Sequence, residues 1–299
     1  MGRTTRRGRC ERVRIDTQTR TLGVIGWPVE HSLSPAMHNA ALREMGLNWA
    51  YLAFAVEPER VAEAVAAVRG LGLVGLNVTI PHKQAVAGLM DELDDAASAL
   101  GAVNTIVRSE DRLIGFNTDG PGFLRSLQER GHTVEGRRVA IIGAGGAARS
   151  VAYATARAGA ASIELLNRTA EKAEAVARLA QEKGTARRVN TSGLEGERAR
   201  EAVSSADVVV DCTSVGMYPN VNEGPVVPGQ WLRPGQVVVD LTYNPRETTL
   251  LRAALEQGAE VVDGTGMLVH QGAISLLHWS GREAPVEVMR EALLAALAR

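Results

Sequence analysis

From Leu22 onward the chain switches repeatedly between two spacings of apolar positions. Short apolar runs of strand length alternate with stretches of helical period. In the first half the spacing predicts strands at 22–26, 49–56 and 73–80. Helices are predicted at 35–45, with Ser34 as N-cap and Pro35 at its first position, and at 57–68. A further helix opens at Pro81-His82-Lys83, and 119–130 is helical up to Gly131. Residues 104–107 and 113–116 flank the polar turn 109–112, which reads as a hairpin. The second half is more regular, with apolar runs at 139–142, 162–166, 207–211, 237–241 and 260–262 and helical stretches between most of them. Right-handed crossovers turn that order into a parallel, doubly wound sheet. Residues 264–299 are helical again and too long for a sheet cap alone, so they are expected to pack back on the first half.

The run 138–148, RVAIIGAGGAA, adds chemistry to this pattern. A continuous apolar strand enters a turn in which Gly143, Gly145 and Ala148 fit the G-x-G-x-x-G/A fingerprint of a dinucleotide-binding unit. The glycines permit a tight turn and a close approach of backbone N–H groups to a pyrophosphate, and the following helix aims its positive end there. The next strand ends in Asn167-Arg168-Thr169, with Lys172 one turn on, where NAD-binding units usually place an acid for the ribose 2′-hydroxyl. A carboxylate repels a 2′-phosphate, whereas an arginine, a hydroxyl and a lysine bind one. Glu164 is the nearby acid, but it lies mid-strand. The dinucleotide implied is NADP.

At 299 residues the chain suits two domains better than one. Only 4% of it is aromatic, so Ala, Val and Leu must build the cores. A net charge of -1 argues against a nucleic-acid or membrane partner. No apolar run is long enough to span a bilayer. Cys10 and Cys212 make no disulfide framework, Cys212 reads as a packed thiol, and no set of residues has metal-ligand spacing. Residues 1–20, rich in Arg and Thr, lack the apolar core of a secretory signal and are expected to be a disordered tail on a cytoplasmic protein.

Three polar clusters remain. NVTIPHK at 77–83 puts Lys83 in a helix's first turn, where the dipole disfavours a cation, at a strand's carboxyl end, where open α/β sheets bind ligands. GAVNT at 101–105 is followed by NTD at 117–119, and HSLSP at 31–35 carries two serines. Each has a plain structural explanation taken singly: a solvated lysine, a turn, a helix cap. Together they resemble the shikimate dehydrogenases, the NADP-dependent enzymes of aromatic amino-acid biosynthesis. The resemblance covers nearly the whole chain from about residue 22, and adds SVGM at 214–217, LTYNP at 241–245 and GMLVHQGA at 266–273.

The resemblance implies an N-terminal α/β substrate domain, a Rossmann-type NADP domain and C-terminal helices packing back on the first domain. It divides the chain into 21–120, 121–264 and 265–299. It implies Lys83 as the catalytic lysine and Asp119 as its paired acid. Ser32, Ser34 and Tyr243 are implied for the substrate carboxylate; Asn77, Thr79, Asn104, Asp119 and Gln271 for the ring hydroxyls. Gly143, Ala144, Gly145, Gly146 and Ala147 with Asn167, Arg168, Thr169 and Lys172 are implied for the NADP phosphates. Met217, Gly264 and Met267 are implied near the nicotinamide, and Asp95 near the cofactor. The family often has arginine where Lys172 stands, so the charge is kept without bidentate geometry. A small-molecule substrate, and a monomer or homodimer, are expected. The alternatives are a quinate/shikimate dehydrogenase of the same fold and a non-catalytic NADP-sensing protein, the second of which needs neither Lys83 nor Asp119.

Overall fold

The computed structural model describes residues 15–184, 186 and 188–299. Cys10 and residues 1–14 of the expected tail lie outside that range. The first half runs β1 (Arg20–Gly26), α1 (Ser34–Glu44), β2 (Trp49–Ala55), α2 (Val61–Gly70), β3 (Gly75–Val78), α3 (Lys83–Ala87), β4 (Glu92–Leu93), α4 (Asp95–Leu100), β5 (Thr105–Ser109) and β6 (Arg112–Phe116). These strands form one mixed six-stranded sheet in the order β2-β1-β3-β5-β6-β4. β1 lies parallel to β2 and β3, whereas β5 runs antiparallel to both β3 and β6. The expected hairpin is present, with Ser109 opposite Arg112. β3 is shorter than its apolar run. It stops at Val78, because Pro81 lacks an N–H and restricts the residue before it. Thr79 and Ile80 are thereby left at the strand's carboxyl end.

α5 (Asp119–Glu129) leads into the second half: β7 (Arg138–Ile142), α6 (Gly146–Arg157), β8 (Ser162–Leu166), α7 (Ala170–Lys183), β9 (Val189–Ser192), α8 (Gly196–Ser205), β10 (Val208–Asp211), β11 (Val237–Asp240), α9 (Thr249–Glu256) and β12 (Glu260–Val262). All six strands are parallel, in the order β12-β11-β10-β7-β8-β9. The winding reverses between β7 and β10, which is where such sheets bind ligands. The apolar runs have a direct cause. Val139, Ile141, Val208, Val210, Val237 and Val239 face one buried cluster, while Ala140, Ile142, Val209 and Val238 face another. A strand covered on both faces needs apolar residues at every position, and each valine or isoleucine so buried contributes about 1.5–3 kcal/mol. Cys212 packs against the first of these clusters, and burial pushes its thiol up.

α10 (Thr265–Ser280) and α11 (Val286–Leu297) return to the first sheet, as their length suggested. Val269, Leu276, Trp279, Met289 and Leu293 share one core cluster with Leu22, Met37 and Tyr51. Trp279 Nε1 donates to the Ile106 carbonyl at 2.9 Å, which fixes α10 against β5.

One local expectation is corrected. Ser34 is not the N-cap of α1: the cap is Leu33, without a side-chain bond, and Ser34 is the first helical residue, followed by Pro35. The Ser32 hydroxyl instead accepts from the Ser34 N–H at 3.3 Å. It therefore satisfies one of the donors that a helix start leaves open.

Candidate active site

Two short segments bring a lysine and a carboxylate together. Lys83 opens α3 and Asp119 opens α5. Lys83 is held by its own carbonyl, which accepts from the Val103 N–H at 2.8 Å, and by His82, whose Nε2 sits 2.8 Å from the Val56 carbonyl. Lys83 Nζ donates to Asp119 Oδ2 at 2.6 Å. The Asn104 amide donates to the other carboxylate oxygen, Oδ1, at 2.7 Å, and to Thr118 Oγ1 at 2.9 Å. Asp119 thus has both oxygens engaged in a fixed orientation. It also compensates a cation at a helix start, where the peptide dipoles oppose one. The side chains are 25% exposed for Lys83 and 9% for Asp119, so the lysine faces the opening and the acid lies behind it.

This pair lies on the wall of a cleft of about 510 Å³ between the two sheets. That is a usual volume for a small-molecule site. Ser32 and Ser34 line it from the start of α1, and Asn77 and Thr79 from the end of β3, together with Asn104. Tyr243, Met217, Gly264, Met267 and Gln271 line it from the second sheet and α10, and Ala147 from the glycine turn. Thirteen positions expected from the sequence, drawn from eight separate motifs and the glycine at 264, therefore meet in one cleft. Tyr243 is half-buried, and the desolvation pushes its phenol up. Gly264 is required by the close approach of two backbones: a Cβ there would lie 2.2 Å from the Leu241 carbonyl oxygen. A smaller cavity of about 200 Å³ continues past Lys83 between α4 and α6, walled in part by Leu100, Ala102, Gly146 and Arg149.

The remaining expected residues stand around the β7–α6 turn. Gly143 has φ of 108°, a left-handed conformation suited to glycine. The N-terminus of α6 has no side-chain cap, and a Cβ at Gly145 or Gly146 would meet nothing within 4 Å. The first-turn N–H groups thus face an open cradle, which fits a pyrophosphate. Ala144 lies in the same turn. Arg168, Thr169 and Lys172 are exposed just beyond the end of β8, the strand next to β7, and Asn167 Nδ2 donates to the Thr169 carbonyl at 2.9 Å. Glu164 is taken by Asn190, whose amide donates to it at 2.6 Å. Asp95 is exposed at the start of α4 and does not line the cleft. Among the described residues no group of three or more His, Cys, Asp or Glu is placed to hold a metal ion, and no helix is long and apolar enough to cross a membrane.

Sequence reasoning missed several residues. Trp27 and His31 line the cleft beside the serines, inside or next to a motif already noted. Thr105, Ser275 and Tyr51 are buried behind it. Thr105 stands in the GAVNT run already noted, whereas the one sequence signal of Tyr51 and Ser275 is a hydroxyl in an otherwise apolar face, which by itself is compatible with any core.

Three family descriptions match the chain in order. Residues 24–106 match the shikimate dehydrogenase substrate binding domain, 126–259 the shikimate / quinate 5-dehydrogenase family and 264–294 the shikimate 5'-dehydrogenase C-terminal domain. The chain is 51% identical over 283 residues to the shikimate dehydrogenase (NADP(+)) of Methanopyrus kandleri, covering 94% of this chain and 97% of that one. It superposes with a TM-score of 0.90 on a crystal structure of a shikimate dehydrogenase in complex with NADP+, at 41% identity over 96% of this chain and 98% of the other. The shikimate 5-dehydrogenase of Thermus thermophilus, solved with NADP(H) and shikimate, gives a TM-score of 0.84 at 35% identity, over 93% and 99% of the two chains.

Proposed function

This chain belongs to the shikimate dehydrogenase family, and from that premise we propose how its own residues carry out the reaction. The enzyme is an NADP-dependent oxidoreductase acting on a CH–OH group. It interconverts 3-dehydroshikimate and shikimate in the pathway to chorismate and the aromatic amino acids. NADP, when bound, supplies or accepts the hydride. In the reducing direction Lys83 donates a proton to the carbonyl oxygen as hydride reaches the carbonyl carbon, and in the oxidising direction it takes that proton back. Asp119 orients the lysine by its ion pair, so that the ammonium proton is aimed at one place. Ser32, Ser34 and Tyr243 grip the substrate carboxylate, and Asn77, Thr79, Asn104 and Gln271 surround the ring hydroxyls. The glycine turn at 143–147 holds the pyrophosphate. Arg168 and Lys172 with Asn167 and Thr169 read the 2′-phosphate. Met217, Gly264 and Met267 border the nicotinamide, and Asp95 lies towards the cofactor on α4.

The observation that carries this reading is the Lys83–Asp119 pair, 2.6 Å apart on the wall of a cleft that the glycine turn also reaches. A protein that only sensed NADP would have no use for that pair. In domain terms, 21–120 with 265–299 forms the substrate side and 121–264 the cofactor side. A cytoplasmic enzyme, monomeric or homodimeric, belongs to the same proposal. The test follows absorbance of NADPH on addition of 3-dehydroshikimate, with NADH and quinate as comparisons. NADPH should be consumed much faster than NADH, and in the oxidising direction shikimate should outpace quinate. Lys83→Ala should lower kcat by about 10²-fold or more, the scale of general acid–base help, with NADP binding intact. Near-normal turnover in that variant removes Lys83 from the mechanism.

A further inference from the structure

Asn77 lies at the back of the cleft on β3 and is 6% exposed. Its Nδ2 lies 3.0 Å from Ser275 Oγ, 3.1 Å from Thr105 Oγ1 and 3.2 Å from the Asn104 carbonyl oxygen. A backbone carbonyl can only accept, so the amide edge that faces it has to be the NH2 edge. Two hydrogens serve three acceptors, and none is spare. On the other edge, Oδ1 accepts from the Tyr51 hydroxyl at 2.7 Å. A carbonyl oxygen has two lone pairs, so one remains. Asn77 can therefore offer a ligand an acceptor and nothing else.

Two further groups that hold this orientation come from distant parts of the chain. Tyr51 sits on β2, 1% exposed, with its ring stacked on His38 at 4.1 Å. Ser275 sits on α10, 0% exposed, and donates to the Gln271 carbonyl at 3.0 Å while lying 2.8 Å from Thr105 Oγ1. One buried hydroxyl thus holds the Oδ1 edge of Asn77, and the other ties its NH2 edge to the helix that carries Gln271.

We propose that Tyr51 and Ser275 are positioning residues for substrate recognition: they hold the two edges of the Asn77 amide so that its free lone pair receives a hydroxyl donated by the substrate ring. The inference rests on the substrate placement given above. It makes recognition at this point directional: a ring hydroxyl is accepted, and a carbonyl in its place meets a lone pair.

Tyr51→Phe removes one oxygen from a packed ring, and Ser275→Ala removes one hydroxyl from a helix. Tyr51→Phe should raise KM for shikimate on the order of tenfold, the equivalent of one hydrogen bond made well or badly, and Ser275→Ala should raise it by less, because two acceptors remain for the two amide hydrogens. Each should leave KM for NADP unchanged and kcat within about threefold. The double variant should lose less than the product of the two, because both losses free the same amide. Ser32→Ala, which touches neither residue, separates the inference from the reading beneath it. If Ser32→Ala raises KM and both new variants leave it unchanged, or shift KM for NADP equally, the inference is overturned and the substrate placement stands. If Ser32→Ala also leaves KM unchanged, the placement falls and the inference with it. Should one variant fail to fold, the other still decides.

Discussion

The two serines of HSLSP exchange the roles that their sequence suggests. Ser34, whose position before Pro35 reads as a helix cap, is the first helical residue and makes no cap, whereas Ser32 accepts a helix-start N–H. Ser34→Ala should therefore change KM for shikimate more than stability. Ser32→Ala should do both: raise KM on the order of tenfold and cost about 0.5–2 kcal/mol, the range of a lost helix-start bond. Thermal unfolding and shikimate kinetics on the pair check this, and a Ser34→Ala protein that loses stability but keeps its KM reverses the assignment. Arg168 stands apart from these buried residues. It is exposed beyond β8, and in this neighbourhood the acid Glu164 is engaged by Asn190. Arg168→Ala should weaken NADPH binding by about 1.5–3 kcal/mol, the worth of a hydrogen bond to a charged group, and change NADH binding far less. Equal losses for both cofactors would falsify its role in reading the 2′-phosphate.

At the level of elements, legibility followed physical cause. β7, β8, β10 and β11 were plain in the sequence because burial on both faces forces continuous apolar runs. β4 and β9 were not: β4 is two residues long, and β9 is a polar edge strand, VNTS, with no face that demands a pattern. The motif residues of the cleft were legible through the family's spacing, but Tyr51 and Ser275 were not, because a hydroxyl turned into a core carries no periodic mark. Asp211 and Asp240 were also overlooked. They end adjacent strands in register and are 1% and 0% exposed. Burial, then the neighbouring Asp240 charge, pushes the Asp211 carboxyl up to about 7; burial also raises Asp240. The unfolded chain releases the Asp211 proton near pH 4, the native protein not until about pH 7. Between those values the native state binds more protons, so the contribution of this group to stability falls as pH rises. Asp211→Asn keeps an acceptor for the Thr213 N–H, which now bonds Asp211 Oδ1 at 2.8 Å, and removes the charge. The variant should melt a few degrees above the parent at pH 8, with the gap closing towards pH 5. A gap that is constant across that range, or of opposite sign, refutes the account.

At the scale of the molecule, one helix couples the halves. α5 begins at Asp119, packs against α6 of the second half and against α10, and does so through glycines. A Cβ at Gly120 would lie 2.8 Å from Ala154 Cβ and 2.9 Å from the Ser150 carbonyl oxygen, both on α6. A Cβ at Gly122 would lie 2.8 Å from the Gln271 N and Cβ atoms on α10. Neither contact can be relieved by rotating a flexible side chain, because the atoms met are backbone or Cβ. A methyl group therefore has to push a helix aside, at about 1–3 kcal/mol for an overpacked site. The direction of the push differs. Gly122→Ala displaces Gln271 and should raise KM for shikimate more than KM for NADP. Gly120→Ala displaces the helix whose N-terminus is proposed to hold the pyrophosphate and should do the reverse. Both should lower kcat, since both act on the helix that carries Asp119. Steady-state kinetics with each substrate varied in turn distinguish these outcomes. If the two variants raise both constants in the same ratio, the close packing of α5 serves stability alone, and the two halves of the cleft are positioned by something other than this helix.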